Sequence, residues 1–112
     1  MGDAEDESEE RVSVDVGDLA PGTIRSVACG RHRALLCNVD GVFYAVAERC
    51  THAAFSMAEG RLEGAHLECP LHGGKIDVRD GAPVALPIRR AAATFPVRLE
   101  GARIEIGVPV LA

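Results

Sequence analysis

The chain has 112 residues, of which 47% are hydrophobic, and it contains no tryptophan and few aromatic residues. This length allows one domain with a single core, and no apolar run approaches the ~20 residues that a membrane-spanning helix requires. The net charge of −5 comes from six carboxylates within residues 1–10, because residues 11–112 carry 12 basic and 11 acidic residues. A nearly neutral domain argues against nucleic acid as a partner, and we expect no association with a membrane either.

Residues 1–10 form an acidic tail without a basic residue. Such a segment is predicted to be disordered and solubilising, and a role in steering a basic partner is the alternative. An acidic N-terminus is neither a secretory signal nor a twin-arginine leader, so we expect a cytoplasmic protein. The folded domain is predicted to occupy residues 11–112.

Short strands separated by turn residues follow the tail. Val12, Val14 and Val16 alternate with polar residues, as in a half-buried strand, and Asp40-Gly41 is a strong signal for a two-residue hairpin. No helical period longer than a turn or two is present. Further strands are predicted at roughly residues 23–29, 33–39, 42–47, 61–69 (two short strands about the Glu63-Gly64 turn), 75–79, 94–100 and 102–107.

Two segments between these strands are predicted to be irregular. Residues 53–60 suit a turn or a short helical piece that ends at Gly60, and residues 83–90 suit an irregular return segment. Closely spaced short strands with turn residues predict an all-β sandwich or small barrel. Residues 45–82 are expected to project from it as a small subdomain.

Four side chains in residues 50–72 are candidate metal ligands. The run Cys50-Thr51-His52 and the run Cys69-Pro70-Leu71-His72 each offer one thiolate and one imidazole, and 16 residues separate them. A Cys2His2 zinc finger groups its cysteines in one pair and its histidines in the other. Mixed pairs suit a binuclear iron centre, in which each loop gives its Cys to one iron and its His to the other. A structural zinc bound by the same four residues is the alternative, whereas a disulfide framework would need an oxidising compartment.

The two runs resemble the C-x-H…C-x-x-H signature of Rieske proteins, and Cys-Pro-Leu-His-Gly-Gly is close to its ferredoxin form. Weaker similarity extends to the turn at residues 18–22, the Asp40-Gly41 hairpin and Phe95-Pro96-Val97. The resemblance implies a Rieske fold in which one [2Fe-2S] cluster is bound by Cys50, His52, Cys69 and His72. Ile76 departs from the pattern, since an aromatic residue is more usual before Asp77, and this departure bears on packing rather than on ligation.

The second loop also has features that bear on the reduction potential. Gly73 and Gly74 lack a Cβ, so their backbone N–H groups are expected to approach the cluster sulfurs. High-potential relatives have a disulfide between the loops where this chain has Phe55 and Leu71, and they have hydroxyl side chains where it has Gly74 and Ile76. Without these groups we expect a potential near the bottom of the class range, roughly −150 mV.

Other polar and apolar residues are expected to have ordinary structural roles. Cys29 and Cys37 are predicted to be small buried hydrophobic residues, and His32 and His66 to be surface residues. Phe55 either packs beneath the first loop or belongs to an apolar docking rim. The other rim residues would be Ala53, Ala54, Pro70 and Leu71. Arg89 and Arg90 are expected to be solvated.

The resemblance implies a soluble electron carrier, the ferredoxin component of a ring-hydroxylating oxygenase system that degrades aromatic compounds. It would pass single electrons from a flavin-containing, NAD(P)H-dependent ferredoxin reductase to a terminal Rieske non-haem iron oxygenase. The chain shows no catalytic constellation and has no room for the oxygenase domain, so it is not expected to be an enzyme. The small subunit of an assimilatory nitrite reductase and a zinc-stabilised interaction module are the alternatives.

Overall fold

A computed structural model describes residues 9–51 and 55–109 of the chain. Within these residues, one 3-10 helical turn, Met57–Glu59, is the only helical element beside eleven strands. The strands are β1 (Glu9–Asp15), β2 (Ile24–Cys29), β3 (His32–Val39), β4 (Val42–Ala47), β5 (Arg61–Glu63), β6 (His66–Glu68), β7 (Lys75–Asp77), β8 (Pro83–Ala85), β9 (Thr94–Phe95), β10 (Val97–Glu100) and β11 (Arg103–Pro109). No helix of this part of the chain is long and apolar enough to cross a membrane.

The described strands pair into three sheets. The first sheet has the order β1-β11-β10, the second has the order β2-β3-β4-β9, and the third has the order β5-β6-β7-β8. The pairings between these strands are antiparallel. Many of the short antiparallel strands are joined by tight turns, which explains why glycines recur between the apolar segments of the sequence.

The second sheet is buried on both faces because it lies between two cores. On β3, Ala34 and Leu36 face one core, which also contains Ile104 and Ile106 of the first sheet. Leu35 and Cys37, on the other face of β3, belong to a core that continues into the third sheet. Alternate residues of a strand point to opposite faces, so the uninterrupted apolar run 34–37 is what a doubly covered strand requires.

Asn38 continues β3 and is the one buried polar side chain among the described residues. Its Nδ2 donates to the Leu19 carbonyl at 2.7 Å, and its Oδ1 accepts from the Gly41 N–H at 2.7 Å. The second bond stabilises the Asp40-Gly41 hairpin that the sequence predicts. Asp40 and Gly41 both have positive φ, 54° and 92°, as a tight hairpin turn of this type requires.

The expected all-β antiparallel fold is confirmed, with differences at individual elements. β1 begins at Glu9, two residues before the predicted start of the domain, and the rest of the predicted tail lies outside the described residues. Residues 83–90 were expected to be irregular, but Pro83–Ala85 form β8 at the edge of the third sheet. Proline is tolerated in an edge strand because its missing N–H need not face a second neighbour.

Candidate metal centre

Each of the two predicted ligand loops begins at a cysteine whose backbone closes the loop. The Cys50 N–H donates to the Phe55 carbonyl at 2.8 Å, directly after an antiparallel bridge between Arg49 and Ser56. The Cys69 N–H donates to the Gly74 carbonyl at 2.7 Å. The chain therefore builds the same local closure twice, and each closure fixes the backbone from which a cysteine side chain extends.

The closed loops bring Cys50 and Cys69 together. The two residues are 2% and 1% exposed and belong to the core beneath the third sheet. Burial raises the pKa of the Cys69 thiol, the Leu71 N–H that donates to its sulfur lowers it, and the adjacent Cys50 thiol raises it further. Two thiols in contact in an apolar pocket lose their protons when a metal cation binds them.

The predicted histidine ligands lie outside this buried pair. His72 is exposed and has φ 71°, and Gly73 after it has φ 75°. Positive φ is uncommon for a residue with a Cβ, so the second loop holds His72 in a strained backbone conformation. His52 lies outside the described residues. Within residues 9–51 and 55–109, no three His, Cys, Asp or Glu side chains converge on one point.

Gly74 is required by packing beneath the second loop. A Cβ on Gly74 would lie 2.6 Å from Cγ1 and 3.0 Å from Cδ1 of Ile88, which is 2% exposed. The sequence suggests a different reason for this glycine, the approach of its N–H to the cluster. Ile88 was not singled out from the sequence, because nothing local connects it with a loop 14 residues away.

Glu48 anchors the first loop and was also missed. Its carboxylate accepts from Ser26 Oγ at 2.5 Å, Ser56 Oγ at 2.6 Å and Arg33 Nε at 3.1 Å, and its backbone carbonyl accepts from the Met57 N–H at 2.8 Å. Burial raises the pKa of Glu48, but the bonds from Ser26, Ser56 and Arg33 bring it below its ordinary value. The available signal is a charged residue at the end of an apolar strand, two positions before a candidate ligand.

The sequence similarity to a known protein family extends over most of the described domain. Residues 10–96 match the family described as the Rieske [2Fe-2S] domain. The chain belongs to the Rieske family.

Two similar proteins belong to dioxygenase systems that contain a ferredoxin. This Rieske chain is 45% identical over 85 residues to the ferredoxin component of biphenyl 2,3-dioxygenase from Rhodococcus jostii strain RHA1, covering 76% of this chain and 79% of that protein. A chain in the complex of reduced oxygenase and oxidized ferredoxin in carbazole 1,9a-dioxygenase aligns with a TM-score of 0.82 at 34% identity. That alignment covers 86% of this chain and 91% of the other.

A third neighbour bears on the nitrite reductase alternative. It is provisionally described as the small subunit of an NADH-dependent nitrite reductase from Mycobacterium tuberculosis, and it aligns with a TM-score of 0.79, covering 92% of the Rieske chain and 98% of its own. Its sequence identity is 19%, which supports a common fold and nothing more specific.

The cofactor of the Rieske chain is one [2Fe-2S] cluster, and the described part of the site fits it. A Rieske cluster needs two thiolates on one iron and two imidazoles on the other. The paired sulfurs of Cys50 and Cys69 suit the first iron, and the exposed His72 lies in the same loop as Cys69. All four cysteines of the chain are free thiols in the described ranges, so no disulfide competes for Cys50 or Cys69.

The other cysteines are buried as predicted, whereas the other histidines are more buried than predicted. Cys29 and Cys37 are 0% exposed, as expected, and burial raises the pKa of Cys37 to about 12. His32 and His66 are half-buried rather than surface residues, and the His32 ring packs edge-on against Phe95 with a centroid distance of 5.8 Å.

Phe55 lies at the surface of the first loop. Phe55 is 40% exposed, which favours a position on the rim of the first loop over one beneath it. Leu71 is half-buried against the core under the third sheet, and Pro70 is exposed. Arg89 and Arg90 are exposed, as expected. Ala53 and Ala54 lie outside the described residues.

Proposed function

We propose that this Rieske chain is the ferredoxin component of a ring-hydroxylating dioxygenase system and carries single electrons to its terminal oxygenase. The observation that carries the proposal is the buried Cys50–Cys69 thiol pair, with the exposed His72 in the same loop. The identity of 45% to a ferredoxin component over 79% of its length supports the same role. That relative is named as a ferredoxin component, so the chain is an electron-transfer protein and not the catalyst.

In this proposal Cys50 and Cys69 bind one iron, and His52 and His72 bind the other. The bound cluster supplies a one-electron redox centre. The chain holds the two sulfurs in an apolar pocket, and the Leu71 N–H donates to the Cys69 sulfur. A donor at that sulfur stabilises the additional negative charge of the reduced form. Exposure of His72 leaves that edge of the site open to a partner.

The partners are proposed from the same reasoning. A flavin-containing ferredoxin reductase would deliver electrons from NAD(P)H, and a terminal oxygenase acting on an aromatic compound would receive them. A cytoplasmic location belongs to the proposal because nicotinamide coenzymes are available there. We further propose that the cluster-binding subdomain, expected at about residues 45–82, includes β8, because β8 pairs with β7 of the third sheet.

Metal and sulfide content tests the ligands. Protein purified without oxygen should contain about two irons and two acid-labile sulfides per chain and give a Rieske-type EPR signal after reduction. Cys50→Ser and Cys69→Ser should each lose the cluster, whereas Cys37→Ser, an equally buried cysteine outside the loops, should retain it. Colourless wild-type protein with one bound zinc would leave only an interaction module.

Reconstitution tests the role. Reduced protein should support product formation by a terminal oxygenase encoded beside it, together with its reductase. If loaded protein passes no electrons to that oxygenase, the ferredoxin assignment fails. A sirohaem enzyme as the neighbouring gene product and as electron acceptor would instead favour the nitrite reductase subunit, which at present has only a common fold in its support.

A further inference from the structure

A positively charged groove lies beside the first ligand loop. It has a volume of about 520 Å³ and is formed by the end of β4, the start of β3 and the far side of the loop. We call it the arginine groove. Its lining residues are Arg31, His32, Arg33, Ala47, Glu48, Arg49, Phe55 and Ser56.

The charge of the arginine groove is not neutralised locally. Its three guanidinium groups face one carboxylate, Glu48, which is already paired with Arg33 at 3.1 Å. Arg31 and Arg49 are exposed, and neither forms an ion pair or a side-chain hydrogen bond with any residue in the described ranges. The groove therefore carries a surplus of two positive charges in a chain whose net charge is −5.

Most arginines elsewhere on the described surface have a polar or charged partner, unlike Arg31 and Arg49. Most form an ion pair with a nearby carboxylate, and Arg103 donates to Ser13 Oγ at 3.0 Å. The paired arginines outside the groove are Arg11, Arg25, Arg61, Arg79 and Arg98. Apart from the groove, the unpaired guanidinium groups in the described part belong to Arg89 and Arg90. Thr51 of the first loop donates to the Arg90 carbonyl at 2.9 Å, so these two arginines lie near the same loop.

The groove also has the chemistry of a protein interface. Phe55, 40% exposed, contributes an aromatic surface next to the two unpaired guanidinium groups. Arginine and aromatic side chains are the residues that interface centres favour, and guanidinium groups bind carboxylates in a bidentate geometry. The surplus charge is local and the domain is nearly neutral, which suits a carboxylate-bearing protein surface better than a nucleic acid.

We propose that the arginine groove docks a carboxylate-rich surface of an electron-transfer partner, next to the loop that begins at Cys50. The proposal rests on the electron-carrier role proposed above. A partner bound there would lie against the loop that begins at Cys50. Local positive charge also steers an acidic partner to this face, although the whole chain is negative and would repel it elsewhere.

Small inorganic oxidants test the local charge without any protein partner. Ferricyanide is an anion that takes one electron from the reduced protein and becomes ferrocyanide, and a hexaammine cobalt(III) cation is its opposite-charge counterpart. Attraction at the groove predicts that the ferricyanide rate constant falls several-fold as salt rises from about 0.01 to about 0.3 M, while the cobalt rate constant rises. Domination by the net charge of −5 gives the opposite signs and overturns the proposal.

A charge-matched pair of variants locates the effect. Arg31→Gln with Arg49→Gln should abolish or reverse the salt dependence of the ferricyanide rate. Arg103→Gln with Arg98→Gln, which removes as much charge from the first sheet, should keep the sign of the wild-type dependence. Retention on a weak cation-exchange resin at low salt gives a second readout that does not depend on the cluster. Wild type and the first-sheet variant should be retained, and the groove variant should not. An equal loss of salt dependence and of resin retention in both double variants would refute a local effect of the groove.

Electron delivery to the oxygenase tests the partner. The groove variant should raise the protein concentration needed for half-maximal turnover about tenfold at low salt, with little change in the maximal rate. Failure of wild type to deliver electrons contradicts the proposed function, whereas normal delivery by the groove variant contradicts only the docking site.

A chain lacking residues 1–8 separates the partner from the chain's own acidic segment. The groove substitutions should have the same effect with and without residues 1–8. If they act only in the shortened chain, residues 1–8 occupy the groove in the full-length protein, and the partner proposal is wrong.

Discussion

Gly74→Ala should destabilise the protein by overfilling the space between the second ligand loop and Ile88. The new Cβ would lie 2.6 Å from Cγ1 and 3.0 Å from Cδ1 of Ile88. Carbon atoms in favourable contact are about 3.5 to 4.0 Å apart, so one of the two groups must move by about 1 Å. Ile88 is 2% exposed, so its side chain is surrounded by protein and can move only by displacing its neighbours. Overpacking of this kind costs about 1–3 kcal/mol, and we expect a value near 2 kcal/mol.

Thermal unfolding, followed by circular dichroism, measures this loss. For a domain of this size, 2 kcal/mol lowers the unfolding midpoint by about 8 to 15 °C. Gly17→Ala is the matched control, because its new Cβ would meet its nearest neighbours, Asp15 Oδ1 and Ala102 Cβ, at 3.3 and 3.6 Å. We expect the control to change stability by no more than about 0.5 kcal/mol in either direction.

A double-mutant cycle decides whether Ile88 is the cause. Ile88→Ala alone should cost about 2–5 kcal/mol through the cavity that it leaves. It also removes both side-chain atoms that the methyl group introduced by Gly74→Ala would strike and leaves only the Ile88 backbone nitrogen, at 3.3 Å. The double variant should therefore be more stable than the sum of the single effects by about 1–2 kcal/mol. Strict additivity, or a Gly74→Ala variant as stable as Gly17→Ala, would refute the packing explanation.

Three further predictions follow from the contacts of single side chains. Glu48→Gln removes a carboxylate that accepts three side-chain hydrogen bonds, so the free energy of unfolding measured in urea at neutral pH should fall by about 1.5–3 kcal/mol. An unchanged unfolding midpoint would mean that the network does not stabilise the fold. Hydrogen bonds from Arg79 bring the pKa of Asp77 to about 2, below its ordinary 3.8. The ionised Asp77 therefore stabilises the fold above about pH 4, and its contribution is lost as the pH falls toward 2. Above about pH 4, the free energy of unfolding of wild type should exceed that of Asp77→Asn by about 1 kcal/mol, a modest value because Arg79 is exposed to solvent. The difference should disappear in acid, and a difference that persists there contradicts this reasoning. Cys37→Ser places a hydroxyl in the core and should cost about 1–3 kcal/mol in unfolding free energy with no change in iron and sulfide content, so a loss of iron would assign Cys37 to the site.

Much of the fold and the two candidate ligand motifs could be predicted because their signals are local. The apolar run 34–37, the Asp40-Gly41 hairpin and the short spacings within each ligand motif involve residues a few positions apart. Such signals depend on backbone geometry that the neighbouring residues alone determine. The β-strands on either side of the hairpin were therefore placed within one residue of their observed ends.

What escaped prediction depends on contacts between distant parts of the chain. Ser26 and Glu48 are 22 residues apart, and Gly74 and Ile88 are 14 residues apart. No period or motif connects such pairs, because their proximity arises only after the sheets have packed. β8 was missed for a similar reason, since its short proline-containing sequence becomes a strand only through its pairing with β7.

The second sheet, covered on both faces, has a consequence for how this chain can be divided. Leu35 and Cys37 of β3 belong to the same core as the candidate ligands Cys50 and Cys69, whereas Ala34 and Leu36 pack against the first sheet. A fragment that ended before the cluster-binding region would expose one face of β3, and the cluster-binding region alone would lose the floor of its pocket. We therefore expect that the two predicted ligand loops cannot be transferred alone, and that grafting them onto another scaffold requires a doubly covered sheet beneath them.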